Sequence, residues 1–550
     1  MKIILTNPPS PNPTKVTAIN VKIGDLVKTG DSLITVDVDG INSPIFSEHD
    51  GIITKQYVNL GDEVTINSEL FEIEVVKISL VEERLTKLPS KTAKVVAIKV
   101  QPNDVIVKDM ILIEFEGNKG TSSIKATNEG ILEELALAVG DEVSVGSLIC
   151  TIRMPEAIKE EKQKEVIKKE ADLVVIGGGP GGYVAAIYAA KHNLKVILVE
   201  KEHLGGTCLN VGCIPTKTLV KSAKTYHSYQ ESEIFGIISK DYTLDMKRVI
   251  AHKDEVCLQL RSGIESLMKA NHIEVIKGIG ALIDNQRVMV KGANEDYNLH
   301  AKYIILANGS KIADLPIPGS NLPFVLNSTT ALSLDELPKS ITIVGGGIIG
   351  MEFAFIYSHF GVKVSVVEYL DNILSVLDND VIEEITRIAK ENNIDIYTNS
   401  KVTKIDSSLN NQAIVFFEQN NQQQLLVSDK VLIAIGRSPN FEGLENIQGL
   451  ELLDRNKGVK VNEYLQTSLP NVYAIGDLNG HLQLAHVASH EGIIAVKHIL
   501  GIKETINYNL VPSVIFTNPE IAYVGLSEKQ AFSQGLNIKI SKFPFKANGK

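Results

Sequence analysis

Short runs of alternating apolar and polar residues, broken by Gly-Asp turns, fill the first 153 residues, a pattern of brief β-strands rather than helices. The pattern occurs twice. Residues 15–21 (KVTAINV) match 94–100 (KVVAIKV), and Leu33-Ile34 matches Leu112-Ile113. Gly51-Ile52-Ile53 matches Gly130-Ile131-Leu132, and GDEV recurs at 61–64 and 140–143. Every match is offset by 79 residues without a gap, which predicts two copies of one small all-β module, over 1–78 and 79–153.

The periodicity then changes. Residues 154–170 are dominated by Glu, Lys, Gln, Ala and Ile, and read as a charged, partly helical linker. A buried-strand run, Leu173-Val174-Val175-Ile176, leads into Gly177-Gly178-Gly179-Pro180-Gly181-Gly182, an Ala-rich helix, and a second strand ending at Glu200. Strand, glycine turn, helix, strand and terminal acid together form a dinucleotide-binding fingerprint. Gly177 makes the tight turn, Gly179 lets the backbone approach a pyrophosphate, Gly182 lets the helix pack on the strand, and Glu200 accepts from a ribose. The device recurs at Gly345, Gly347 and Gly350, ending at Glu368, with 23 positions from first glycine to acid in both copies. Two fingerprints imply two dinucleotides. Glu368 would repel a 2′-phosphate and Tyr369-Leu370-Asp371-Asn372 offers no Arg, so the second site is expected to take NAD rather than NADP.

Composition narrows the class. Hydrophobic residues are 44% and charged residues 22% of 550, enough apolar content for several cores. The net charge of -11 argues against nucleic acid as the main partner, and no apolar run reaches the roughly 18 residues a membrane helix needs. The first residues turn polar too quickly for a signal peptide, and they lack a transit peptide's Arg-rich pattern. Four cysteines do not make a disulfide scaffold, so a reducing, cytoplasmic setting is expected, and no metal site.

Two of those cysteines stand out, in Gly205-Gly206-Thr207-Cys208-Leu209-Asn210-Val211-Gly212-Cys213-Ile214-Pro215-Thr216-Lys217. Five residues of ideal helix rise about 7.5 Å, whereas a disulfide wants Cα atoms about 4.4–6.8 Å apart. Gly212 between them would permit the needed distortion. The residues leave two readings, a redox disulfide or a pair of buried thiols. Cys150 and Cys257 read as packed thiols.

The stretch at 205–217 resembles the dihydrolipoamide dehydrogenases, which are flavin disulfide reductases, and the resemblance extends over about residues 171–550. Tyr473-Ala474-Ile475-Gly476-Asp477, Leu484-Ala485-His486, Glu491-Gly492, Ala434-Ile435-Gly436-Arg437 and residues 508–525 carry it as well. One motif departs: Ala307-Asn308-Gly309-Ser310 has Asn where the family usually has Thr, a small polar change expected to be tolerated.

The resemblance implies a fold and roles. An FAD-binding domain is expected over 171–317 and again over 441–505, with an NAD-binding domain over 318–440. Both would be doubly wound α/β domains, followed by an incomplete α+β dimer-interface domain at 506–550. Cys208 would be the interchange thiol, Cys213 the thiolate against the flavin, and Lys217 a flavin neighbour paired with Glu352. The cofactor-binding set extends to Gly280, Gly309, Ser310, Asp477, Ala485, Val402 and Gly436.

The two N-terminal modules resemble lipoyl domains, in which a Lys sits at a hairpin tip. In the second copy the tip reads Glu116-Gly117-Asn118-Lys119-Gly120, making Lys119 the expected lipoyl attachment site. The equivalent position in the first copy is Gly40, so that module is read as degenerate, a spacer or docking surface. In the family the chain continues past the position of Lys550 to a His and a Glu that complete the partner's active site, so a truncated sequence is expected; none of the 12 histidines here, His486 and His490 included, replaces that base by motif.

The expected protein is an NAD-dependent dihydrolipoyl dehydrogenase. It would be a homodimer serving a lipoyl-bearing acyltransferase of a 2-oxo acid dehydrogenase complex, with no nucleic acid or membrane partner. Two alternatives stand beside it: another flavin disulfide reductase, such as a glutathione or mercuric reductase, and a lipoyl carrier or scaffold with an incomplete catalytic body.

Overall fold

The computed structural model describes residues 2–5, 13–38, 40–75, 77–85, 92–102, 104–117, 120–156, 166–238, 242–445 and 447–548. The chain forms two compact units, residues 1–163 and 164–550.

The first unit holds both all-β modules, each a pair of four-stranded antiparallel sheets. In the first, one sheet runs Ile41–Phe46, Ser32–Val38, Thr14–Ile19, Glu63–Val64, and the other Lys2–Ile4, Glu69–Val75, Gly51–Gln56, Leu26–Val27. In the second, the corresponding sheets run Gly120–Lys125, Ile111–Gly117, Ala93–Ile98, Glu142–Val143, and Val105–Ile106, Gly130–Leu135, Leu148–Glu156, Lys77–Arg84. The registers repeat: Lys15 faces Asp37 as Lys94 faces Glu116. The repeated apolar positions Val16 and Val95, Leu33 and Leu112, and Val64 and Val143 are all buried, because alternation puts every second side chain on the inner face. The hairpin closing on Val38 and Ile41 in the first copy closes on Gly117 and Gly120 in the second. Lys119, the expected tip residue, lies outside the described residues.

Both ends of the region that reads as a linker over 154–170 belong to strands. Residues 154–156 finish the strand Leu148–Glu156, pairing with Lys77–Arg84. Residues 166–170 begin the strand Val166–Ile176, pairing in parallel with Asp296–Leu306. Lys and Glu side chains hide these strands from a hydropathy reading, since a ladder is built by backbone groups. Residues 157–165, where composition predicts a partly helical linker, lie outside the described residues.

The second unit is built on two sheets. In the first, Val166–Ile176 is flanked in parallel by Val196–Glu200 and Asp296–Leu306, Glu274–Leu282 and Arg287–Gly292 run on from Val196–Glu200 and pair back onto Asp296–Leu306, and Val472–Ala474 returns from far along the chain to join Asp296–Leu306. Helices α1 (Pro180–Lys191), α2 (Gly206–Val211), α3 (Cys213–Gln230) and α4 (Met246–Ala270) lie along this half of the sequence. The second sheet is five-stranded and parallel, in the order Val325–Asn327, Lys430–Ile433, Ser340–Val344, Lys363–Val367, Ile394–Tyr397. It carries α5 (Ser328–Ala331), α6 (Ile348–His359) and α7 (Asn379–Glu391), plus a three-stranded antiparallel extension. Helix α8 (Ala485–Ile499) packs on α1, and a short antiparallel pair, Ser513–Ile515 with Ile521–Tyr523, precedes α9 (Glu528–Ser533). Continuous apolar strands such as Leu173-Val174-Val175, buried throughout, mark sheets covered on both faces. Among the described residues no helix is long and apolar enough to cross a membrane.

Candidate active site

Two phosphate cradles form where each central strand meets its helix. Gly177 has φ +104°, and a Cβ there would lie 2.2 Å from the Ala307 carbonyl oxygen, so glycine is required on both counts. A Cβ on Gly182 would come within 1.8 Å of the Gly177 carbonyl, which lets α1 start hard against the turn. Gly179, the N-cap of α1, has only the Gly206 Cα within 4 Å of a would-be Cβ, so the helix N-terminus opens outward. Glu200 accepts from the Gly178 and Glu202 amides, both at 2.7 Å. The second cradle repeats this: Gly345 at φ +108°, a Gly350 Cβ 1.9 Å from the Gly345 carbonyl, Gly347 open as N-cap of α6, and Glu368 accepting from Gly346 at 2.5 Å and Leu370 at 2.7 Å. Each cradle presents free N–H groups and the positive end of a helix dipole, the chemistry a pyrophosphate needs.

The thiols sit beyond the first cradle. Helix α2 ends at Val211, Gly212 breaks the backbone at φ −140°, ψ −113°, and α3 begins at Cys213. A Cβ at Gly212 would lie 2.9 Å from the Thr207 carbonyl, so the break folds back on the turn that carries Cys208. This solves the spacing problem that an ideal helix poses. Both thiols are unbridged and part-buried, and they differ chemically. A hydrogen bond from Cys208, then the charge of Lys217, lower the Cys213 pKa to about 7, against the opposing effect of burial. Cys208, donating that bond and desolvated, is pushed up. The position of Cys213 at the first turn of an eighteen-residue helix favours its thiolate in the same sense.

Lys217 lies 3.3 and 3.4 Å from the two oxygens of buried Glu352 on α6, and 4.2 Å over the Phe516 ring. The Phe516 amide donates to Glu352 at 3.0 Å, so the carboxylate is held from two sides. Two further networks stand near it, the first of them lining the same cavity. Ser310 donates to Asp477 at 2.5 Å, while Arg437 donates to the Ser310 hydroxyl at 2.7 Å and its carbonyl at 2.8 Å. Burial raises the Asp477 carboxyl. Glu491, wholly buried, accepts from Gly476 at 2.6 Å, Asn479 at 2.8 Å and Tyr508 at 2.7 Å, and its pKa is raised by burial.

These groups surround one cavity of about 2130 Å³. Cys208, Cys213, Lys217, Glu352, Gly177, Gly179, Glu200, Gly280, Gly309, Ser310, Asp477, Ala485, Gly345, Gly347, Glu368, Val402 and Gly436 all line it. Gly182 and Gly350 do not; they stand behind the cradles, where their role is close packing. Asn308, the departure from the family motif, donates from Nδ2 to the Glu442 carbonyl at 2.9 Å, and its buried Oδ1 has no partner, an open acceptor in the cavity wall. Size, two cradles and that open acceptor fit two dinucleotides. His486 places Nε2 2.9 Å from the Pro512 carbonyl, and His490 is 3.9 Å from Glu504. Arg437 and Glu491 fall inside the sequence motifs but outside the expected site residues. An Arg or Glu in a sequence reads as surface charge, and only the tertiary contacts half-bury Arg437 and bury Glu491. Cys150, in the core of the second module, has its pKa raised to about 11 by burial, and Cys257 is raised by burial as well.

This architecture and site define a flavoprotein of the two-nucleotide, redox-dithiol class. Residues 171–492 match the pyridine nucleotide-disulphide oxidoreductase family, and residues 511–550 match its dimerisation domain. Residues 9–73 and 88–152 each match the domain described as biotin-requiring enzyme. The chain belongs to the pyridine nucleotide-disulphide oxidoreductases and is an NAD-dependent oxidoreductase of a family that uses FAD and NAD. It is 43% identical over 387 residues to the dihydrolipoyl dehydrogenase of Chlamydia pneumoniae, covering 70% of this chain and 81% of that protein. It is 42% identical over 396 residues to a dihydrolipoyl dehydrogenase of Bacillus subtilis, covering 69% and 82%. Among solved structures, the HOCl-induced flavoprotein disulfide reductase RclA of Escherichia coli, as the Cu(II) complex of its C43S mutant, superposes with a TM-score of 0.62 at 32% identity, covering 69% and 83%.

Proposed function

We propose that the chain is a dihydrolipoyl dehydrogenase of a 2-oxo acid dehydrogenase complex, oxidising dihydrolipoyl groups and reducing NAD. The asymmetric thiol pair supports this most directly: Cys208 donates a hydrogen bond and is pushed up by burial, while that bond and Lys217 favour the thiolate of Cys213, beside a lysine paired with Glu352. In the oxidised enzyme, a dihydrolipoyl thiolate attacks Cys208 of the Cys208–Cys213 disulfide, and Cys213 leaves as the stabilised thiolate. The second substrate thiolate then displaces Cys208, giving lipoyl disulfide and the dithiol; two electrons have moved to the protein. Bound FAD and NAD supply the hydride chemistry that clears those electrons. Lys217 and Glu352 hold charge beside the thiolate; the Gly177 and Gly345 turns would hold the pyrophosphates, and Glu200 and Glu368 would hold the riboses. The dimerisation domain supports a homodimer, and the second all-β module supports a lipoyl group on Lys119 and a lipoyl-bearing acyltransferase as partner. A cytoplasmic setting is part of this reading, since four cysteines in 550 residues are too few for the disulfide scaffold of an oxidising compartment. A pure carrier role is less favoured, because a carrier has no use for a tuned dithiol between two nucleotide cradles. Cys208→Ser tests the reading: flavin content should stay and dihydrolipoamide turnover should vanish, whereas near-normal turnover would remove Cys208 from the exchange.

A further inference from the structure

We infer that the Lys28–Asp31 turn of the first all-β module is a docking surface for the second module, and that the two copies work as one clamped body. The module cores are separate: the apolar cluster around Val16, Leu33 and Phe71 shares no residue with that around Val95, Leu112 and Phe115. Charge joins them. Arg153, buried in the second module, donates to Asp31 of the first at 2.9 Å and lies 3.1 Å from its own module's Glu133. Lys28 of the first module pairs with that same Glu133. Asp31 also accepts from the Lys28 amide at 2.9 Å, so the turn arrives rigid.

The repeat shows that these charges belong to the interface rather than to the module. At the 79-residue offset, Lys28 corresponds to Val107, Asp31 to Met110, Glu133 to Thr54 and Arg153 to Glu74. None of the four is repeated, although the core positions between them are. Each module supplies one cation and one anion from non-equivalent places, a heterologous contact that would otherwise propagate into a chain of modules. It ends at two, because the second module offers Val107 and Met110 where a third would need Lys and Asp. Glu133 and Arg153 stand on the sheet opposite the one that carries the Gly117–Gly120 hairpin, so the clamp uses the face away from the attachment hairpin. A first module with Gly40 where the second has Lys119 thereby has a structural use, as the fixed mount of the second.

Zero-length carbodiimide coupling on the full chain tests this. The reagent activates a carboxylate, leaves as its urea, and yields an amide only between a touching Lys and acid. The Lys28–Glu133 link should form at low ionic strength. The Lys99–Glu114 pair, 3.0 Å apart within the second module, serves as internal standard. Arg153→Glu should reduce Lys28–Glu133 coupling about tenfold, about 1.4 kcal/mol of docking, with Lys99–Glu114 unchanged. Adding Asp31→Lys puts two cations on the first module opposite two anions on the second, and should restore the link. No Lys28–Glu133 link in the unaltered chain, full coupling in Arg153→Glu, or a loss that Asp31→Lys does not rescue would overturn the clamp.

Discussion

The charge of Lys217 should be measurable as a change in the acidity of Cys213. The two residues stand four apart on α3, on one face of the helix, with Cys213 at its first turn. In the intact reduced chain the hydrogen bond from Cys208 and the charge of Lys217 hold the Cys213 thiol below its ordinary acidity range. Lys217→Met removes a nearby cation in a largely desolvated site, where an opposite charge is worth about 1–3 pKa units. Each unit is about 1.4 kcal/mol of thiolate stabilisation. The pKa should therefore rise by at least about one unit, which lowers the reactive fraction of Cys213 about tenfold at any pH well below it. Glu352→Gln should act the other way, because Glu352 opposes the thiolate and its removal frees the full Lys217 charge. The assay is the pH dependence of iodoacetamide alkylation of the reduced protein, with the modified cysteine located by peptide fragmentation. Only thiolate reacts, so the midpoint of the rate profile is the pKa. Both variants moving in the same direction, or Lys217→Met leaving the midpoint in place, would refute the reasoning.

Two more outcomes are expected. Gly182→Ala should lose bound flavin while Gly350→Ala should weaken NAD binding with flavin retained, since each Cβ would strike its own cradle at 1.8 and 1.9 Å; flavin absorbance and NAD titration separate the two. His359 is buried against a stacked His227, and burial lowers its pKa from 6.5 to about 4. A depressed folded pKa gives stability that is present above 6.5 and lost as pH falls toward 4, about 2 kcal/mol between pH 7 and 5. Denaturant titration should show that slope in the intact chain and a flatter one in His359→Phe.

The glycine fingerprints are legible in the sequence because they are backbone requirements: only glycine meets a left-handed turn or a 1.8 Å approach, so the residue type itself reports the geometry. The 79-residue repeat is legible for a related reason, that buried positions recur with the register. Gly212 marks the break between the thiols by residue type alone. Lys217 and Glu352 are different: 135 positions separate them, and only resemblance pairs them. Long-range polar contacts carry no periodicity, which is why the Arg437–Ser310–Asp477 network, Glu491 and the Arg153 clamp stay hidden in the sequence. The strand beginning at Val166 is concealed by the opposite effect, a run of Lys and Glu whose backbone pairs regardless.

Glu491 bears on the order in which the molecule assembles. Its three donors come from two places: Gly476 and Asn479 just after the returning strand, and Tyr508 at the threshold of the C-terminal segment. A carboxylate stripped of water is tolerable only with all its donors in place. Until Tyr508 arrives, the turn around Asp477 therefore lies against an under-satisfied acid. The C-terminal segment and that turn should mature together, so faults in one would surface as poor cofactor loading in the other.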